Sequence, residues 1–214
     1  MSERLSIEAD GADAVHHAFE RVIADGGVAV FPADGLYGLA CDPTNGAAIK
    51  RIHELKNRET GKPSAVMYFS QEAMGEILES VTPIVRAILS ALLPGPVTLV
   101  LDNPEGRYPL ANGEAPDRLG VRLIDGPLSG LVVPVFQTSA NRSGEPPPAR
   151  AEDVHEQIAS SVDLVIDGGE LTGEPSTVVD LTKIEAGGSW DVLREGALSY
   201  GDLESKLTGL QLGG

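Results

Sequence analysis

The stretch FPADGLYGLACDP, Phe31 to Pro43, decides how this chain is read. Its front closes a short apolar run, GVAVFP, with the composition of a buried strand. Its end runs into TNGAAIKRIHELK, where Ile49, Ile52 and Leu55 share one helical face. Between strand and helix lies a glycine-broken segment holding two acids, a tyrosine and the chain's single cysteine. Two readings are open from these residues: an ordinary strand-to-helix connection, or a loop that holds a substrate.

Working outward, Val15, Phe19, Val22 and Ile23 fall at helical spacing and predict a helix over Ala12–Ala24, ended by Gly26 and Gly27. Beyond the opening stretch, SAVMYF reads as a strand, and two helices are expected between Gln71 and Leu93. PGP, at Pro94 to Pro96, then breaks the chain before the strand VTLVL. LGVRLI, VVPVFQTS, DLVIDGG, STVVDL and WDVLRE follow as short apolar strands bounded by turn residues. Further helices are expected over Glu152–Ser160 and near Asp202–Leu207. Strands and helices interleave without strict alternation, which argues for an α/β fold with a mixed sheet. There is no internal repeat, and SGEPPPAR is a short stiff loop rather than a linker. The chain is therefore read as a single domain over 1–214 with its core at about 12–208.

Composition narrows the function classes. With 214 residues, 42% apolar and 22% charged, the chain has the make-up of a soluble globular protein. Its 32 acidic against 16 basic side chains give a net charge of −16, a field that repels phosphate backbones and disfavours general nucleic-acid binding. A local cluster of cations can still take a small anion. One cysteine forms no internal disulfide, which fits a reducing cytoplasm. MSERLSIEAD has no apolar signal core and no apolar run approaches a membrane span, so a cytoplasmic, membrane-free protein is expected.

Several familiar sites are excluded. ETGKPS ends like a phosphate-binding P-loop, but Pro63 stands at the hydroxyl position and the upstream glycine is missing. Neither G-x-G-x-x-G nor G-x-S-x-G is present. His16, His17, His53 and His155 lack metal-ligand spacing and read as surface or helix-face residues, with Cys41 a small buried one.

What remains is a set of polar groups at strand and helix ends. LKNRETGKP places Lys56, Arg58 and Lys62 together, either as a solvated helix terminus or as a local positive site. Ser139, Asn141 and Ser143 follow directly on the strand VVPVFQ, where sheets commonly bind ligands, or they build an Asx/Ser turn. Arg122 stands inside an apolar strand, a place where a charge pairs with an acid or binds an anion. Ser176 and Thr177 precede one strand and Arg194 ends another. Together these cations and hydroxyls suit a nucleoside triphosphate plus a small carboxylate.

FPADGLYGLACDP, KNRETGKP, LLPGPVTLVL, GVRL, TSANRSGEP, STVVDL and LREG occur in the order of the YrdC-like family, which includes the threonylcarbamoyl-AMP synthases, and the chain resembles that family from about Gly26 to Ala197. The resemblance implies an open, twisted mixed sheet with flanking helices and a large concave cavity, in a short form without the C-terminal extension of longer members. It also implies an ATP-dependent nucleotidyltransferase that joins L-threonine, bicarbonate and ATP into threonylcarbamoyl-adenylate, releases pyrophosphate, and supplies a complex that modifies tRNA. Mg²⁺ would travel on the phosphates. By the same resemblance Lys56 and Arg58 are catalytic, and ATP is held by Lys56, Arg58, Lys62, Ser139, Asn141 and Arg194. Gly35, Tyr37, Met67, Arg122 and Ser176 then hold the threonine or another acyl precursor.

The family pattern is also departed from. Gly35 stands where the synthases carry a threonine, Met67 where many have a histidine, and Pro147 where a serine is common. The nucleotide half is kept while the amino-acid half has lost polar contacts. Two other functions therefore stay open: a carbamoyl-adenylate-forming relative with another acyl substrate, and a non-catalytic member bearing the family's double-stranded-RNA-binding label.

Overall fold

A computed structural model describes residues 2–59, 61–208 and 210; Thr60 of the KNRETGKP motif and the extreme ends of the 1–214 assignment lie outside them. In chain order the elements are β1 (Glu3–Ser6), α1 (Ile7–Asp10), α2 (Ala12–Ala24), β2 (Ala29–Pro32), β3 (Tyr37–Cys41), α3 (Gly46–Leu55) and β4 (Ala65–Tyr68). There follow α4 (Gly75–Ser80), α5 (Pro83–Leu92), β5 (Val97–Asp102), α6 (Pro109–Asn112), β6 (Arg118–Leu123) and β7 (Val135–Ser139). The chain closes with α7 (Glu156–Ala159), β8 (Leu164–Asp167), β9 (Thr177–Asp180), β10 (Asp191–Arg194) and α8 (Tyr200–Thr208). The ten strands of the described residues form one sheet in the order β1-β8-β2-β3-β7-β4-β6-β5-β9-β10. Parallel and antiparallel pairs are mixed within it, as the uneven alternation of elements predicts.

Three expectations are corrected. The opening stretch is neither a plain connection nor a loop throughout, because Tyr37–Cys41 is a buried strand that folds back antiparallel on β2. Only Ala33 to Leu36 turn between them, closed by the Ala33 N–H donating to the Leu36 carbonyl at 2.9 Å. The helix expected over Glu152–Ser160 is broken. A 3₁₀ turn, Ala151–Asp153, is separated from α7 by Val154, which is extended, and His155, whose ring nitrogen accepts from Gln157 N at 3.2 Å as an N-cap. The histidine on α3, His53, is buried rather than on an open helix face.

Side chains alternate along each strand, so each strand feeds both faces of the sheet. On one face Val30, Leu39, Val66, Leu99, Val121, Phe136 and Val179 build a core that spans the sheet's width under α3, α5 and α8. On the other face α2 packs Val15, Phe19, Val22 and Ile23 onto Phe31, Ala40, Met67, Leu164 and Ile166. That second cluster covers the β8-β2-β3 side and reaches across β7 at Val135 as far as Met67 of β4. Beyond Met67 no helix of the described residues lies over that face, and Ala65 of β4 with Gly120, Arg122, Thr98, Val100 and Val178 of β6, β5 and β9 look into a cavity instead. No helix of the described residues is long and apolar enough to cross a membrane.

Tyr37 pins the hairpin to the neighbouring strand. Its buried hydroxyl donates to the Gly169 carbonyl at 2.8 Å, accepts from Gly168 N at 2.9 Å and lies 3.3 Å from Asp167. Burial pushes the phenol up to about 12. Tyr37→Phe leaves the Gly168 N–H without its partner and is expected to cost about 1–3 kcal/mol, read from urea denaturation.

Candidate active site

The uncovered half of the sheet forms the floor of a cavity of about 650 Å³, within the usual range for small-molecule sites. Among the described residues five of the chain's sixteen Lys and Arg line it, Lys56, Arg58, Arg118, Arg122 and Arg194, against one acid in the lining, Glu174; Arg118 is paired with Asp180 at 3.1 Å.

Lys56 and Arg58 reach the cavity because of how α3 ends. Asn45 caps its start, accepting from Ala47 N and Ala48 N at 3.1 Å each, and Ile49 and Ile52 anchor its buried face. After Leu55 the chain leaves the helix through Asn57 in the left-handed region, φ 49°, a conformation that asparagine tolerates. The Lys56 ammonium is buried and donates to the carbonyls of Ser139 and Asn141, the latter at 2.7 Å. The Ser143 N–H returns a bond to the Lys56 carbonyl at 2.7 Å, so the helix end and the loop after β7 are stitched together. Asn141 is fixed in turn by donating to the carbonyls of Arg142 and Glu145.

Arg58 donates to Thr138 Oγ1 at 3.0 Å, Ser64 Oγ at 3.2 Å and the Pro63 carbonyl at 2.9 Å. Every one of these acceptors is a neutral oxygen. Among the described residues no carboxylate pairs with Lys56 or Arg58, although most other cations of the chain have one. Burial, with the Arg58 charge beside it, therefore pushes the Lys56 ammonium down to about 7. Burial lowers Arg58 as well. Two desolvated cations with no counter-charge are a site for an anion.

At the other end Arg194 donates to the Ser176 carbonyl at 2.7 Å, and Ser176 Oγ and Thr98 Oγ1 are bonded at 2.9 Å. Arg122, buried on β6, meets Asp34 at 3.3 Å and Gln137 at 3.4 Å. Burial pulls its guanidinium down to about 10, against the opposing effect of Asp34.

The cavity thus brings together Lys56, Arg58, Ser139, Asn141, Arg194, Gly35, Tyr37, Arg122 and Ser176. Lys62 and Met67 are not among its walls. The Lys62 ammonium turns outward to Glu59 at 3.2 Å. Met67 stands beside Arg122 in register, but it is fully buried under α2, where the second core cluster begins.

Arg118, Thr138, Ser64, Gln137 and Thr98 belong to the walls and escape the sequence reading. For Arg118 the signal was there, since Arg118, Gly120 and Arg122 alternate at the period that puts them on one face of a strand.

Gly35 has a structural reason to be glycine. Its carbonyl accepts from Gly173 N at 2.9 Å, and a Cβ built on it would stand 2.1 Å from the Glu174 carbonyl oxygen and 2.8 Å from Thr172 Oγ1. The segment Leu171–Ser176 crosses the cavity wall here as a strap. At its far end it lies equally close to Gly196, where a Cβ would meet the Pro175 carbonyl at 2.1 Å. The strap therefore fills the space that a side chain at position 35 would need.

A half-open mixed sheet whose cavity holds two cations, Lys56 and Arg58, with no carboxylate partner among the described residues has the make-up of a small-anion- or nucleotide-binding α/β protein. Comparison with known proteins narrows this further. The family model for Sua5, YciO and YrdC proteins, described as "Telomere recombination", matches residues 21–196, and the chain belongs to that family. It is 36% identical over 164 residues to the threonylcarbamoyl-AMP synthase of Chromohalobacter salexigens, covering 73% of this chain and 86% of that protein. A structure of Pyrococcus abyssi Sua5 complexed with L-threonine superposes with a TM-score of 0.81 at 29% identity, over 96% of this chain. This chain spans 60% of the length of that Sua5 chain. Escherichia coli YciO superposes with a TM-score of 0.78 at 25% identity, covering 95% of this chain and all of that one.

Gly35→Ala must push the strap off its seat, and a loss of about 1–3 kcal/mol in unfolding free energy is expected by denaturant titration. The same substitution at Gly46, whose built Cβ meets nothing closer than 3.6 Å, is the control that leaves stability nearly unchanged.

Proposed function

We propose that this chain is an ATP-dependent enzyme of the threonylcarbamoyl-AMP synthase type. It would join L-threonine and bicarbonate into a carbamate and transfer it to the α-phosphate of ATP, releasing pyrophosphate. The observation that carries this reading is the Lys56–Arg58 pair, the lysine buried and the arginine half-buried, facing the cavity and bonded only to neutral oxygens. Support comes also from the family, from the name of the Chromohalobacter relative and from the L-threonine bound by Sua5.

The chemistry requires such a site. The threonine amine adds to the carbon of bicarbonate, water leaves, and a carbamate anion results. One of its oxygens then attacks the α-phosphorus in line with the leaving pyrophosphate. Two anions must meet, and fixed cations offset their repulsion and the charge that develops at the phosphoryl oxygens.

In this reading Lys56 and Arg58 stabilise that charge, with Mg²⁺ arriving on the ATP phosphates as part of the substrate. Ser139, Asn141 and Arg194 hold the nucleotide. Arg122 and Ser176 receive the amino acid's carboxylate, and Tyr37 and Gly35 shape the wall beside it. Lys62 is assigned no contact with the nucleotide in this reading, since its exposed ammonium pairs with Glu59 and is not among the cavity's walls. Positioning rather than acid–base chemistry does most of the work. Residues 1–214 would act as one unit built on one sheet, in the cytoplasm, and pass the adenylate to a complex that modifies tRNA.

A second reading keeps the nucleotide half and changes the acyl donor. The strap over Gly35 and the burial of Met67 favour it, since neither position offers a polar group to an amino acid. The test supplies ATP and Mg²⁺ with either L-threonine plus bicarbonate or carbamoyl phosphate, and follows pyrophosphate and the adenylate. Threonine-dependent release supports the first reading and carbamoyl-phosphate dependence the second. Release with neither removes both.

Lys56→Ala and Arg58→Ala are each expected to lower pyrophosphate release by about 100-fold or more while the urea transition remains cooperative. Full activity in both variants contradicts the site. Protonation supplies an independent check. In the free protein Lys56 loses its proton near pH 7, so at pH 8 it is mostly neutral. A bound polyphosphate restores the ammonium, and calorimetry at pH 8 in two buffers of different ionisation heat should show uptake of about one proton per ATP. A heat that does not change with the buffer contradicts this.

A further inference from the structure

Asp34, which pairs with Arg122 beside the cavity, is the charged group there to which the proposed chemistry gives no part. Arg122 sits on β6 between Thr98 of β5 and Met67 of β4, with 5% of its surface exposed. Its bonds are long: Nη2 to Asp34 Oδ2 is 3.3 Å and Nη1 to Gln137 Oε1 is 3.4 Å. Its Nε is buried with no acceptor among the described residues. A committed guanidinium–carboxylate pair is usually bidentate, at about 2.7–2.9 Å. Here one of the two contacts goes to a neutral amide, and one donor is idle.

The partner is held no better. Asp34 is in the tight turn between β2 and β3 at φ 80°, and about a third of its side chain is exposed. Burial raises its carboxyl despite the pull of Arg122, so the pair does not recover what desolvation costs. Arg194 adds a second positive charge near Arg122. An under-satisfied buried cation that faces a cavity, with a half-committed carboxylate beside it, is poised for exchange.

We propose that Asp34 is a displaceable counter-ion: it occupies Arg122 while the amino-acid end of the cavity is empty and yields it to the carboxylate of an incoming α-amino acid. Asp34 is then a positioning residue that sets the affinity of this end of the site. The inference rests on the reading above that Arg122 receives a ligand carboxylate. It differs from a fixed structural role, in which Asp34 holds the guanidinium in place for the ligand, and the two roles give opposite signs. Removing a competitor's charge strengthens carboxylate binding, whereas removing an orienting partner weakens it.

Asp34→Asn separates them, because asparagine accepts the left-handed backbone and keeps the side chain's size. L-Threonine is titrated calorimetrically into the wild-type chain and the variant, with ATP titrated into both to check the other end of the cavity. Binding of L-threonine about tenfold tighter in Asp34→Asn is expected. Equal or weaker binding overturns the exchange. If neither protein binds L-threonine while both bind ATP, the amino-acid assignment fails, and acetate then probes Arg122 alone. Tighter acetate binding in Asp34→Asn that disappears in Asp34→Asn/Arg122→Met supports the displaceable counter-ion. Acetate binding that is no tighter in Asp34→Asn overturns it.

Discussion

The bond from the Lys56 ammonium to the carbonyls of Ser139 and Asn141 is the constraint on which the rest of the site depends. It fastens the end of α3 to the end of β7, the strand that joins the β3 hairpin to β4 at the middle of the sheet. Because the acceptors are neutral, the tie orders the loop without cancelling the charge. A carboxylate in their place would hold the loop equally well and leave nothing for a ligand. The energetic burden of burying this charge is visible in the depressed Lys56 ammonium, and an anionic ligand relieves it.

The cavity exists because the two faces of the sheet are covered unequally. One face has a continuous apolar layer, while on the other the layer under α2 ends at Met67 of β4. Residues of β4, β5, β6 and β9 that would otherwise have to be apolar are released from packing. Small and polar groups occupy them: Ala65, Thr98, Gly120 and Arg122. Met67 marks the border, since it belongs to the same row as Arg122 yet is still under the helix. A single side-chain row therefore changes from core to binding surface within one strand spacing.

Much of this was legible in the sequence, for physical reasons that can be traced. Helix α2 and the strands from β4 onward carry strong apolar periodicity with turn residues at their ends, and they lie where that pattern places them. β3 did not show itself, because all five of its residues are buried and it offers no in–out alternation. Lys56 and Arg58 could be picked out as a cluster, but a helix terminus in solvent gives the same residues. Only the fold tells that the lysine is enclosed while Lys62, six positions on, is not. Gly35 was conspicuous for what it replaced, and its cause lies in a strap more than a hundred residues away that no local pattern announces.

The segregation of charge has a kinetic meaning. With five cations drawn into the cavity wall beside Glu174, Asp34 and Asp180, the rest of the chain holds eleven basic against twenty-nine acidic side chains. An approaching anion first meets a repulsive shell and only within a few ångströms feels the attractive floor, because screening at physiological salt confines each field to roughly 8 Å. Added salt lowers the outer barrier and weakens the inner hold, so entry quickens while residence shortens. A long polyanion cannot fit all of its charge through the mouth and remains in the repulsive zone. The molecule thus sorts anions by size before any specific contact is made.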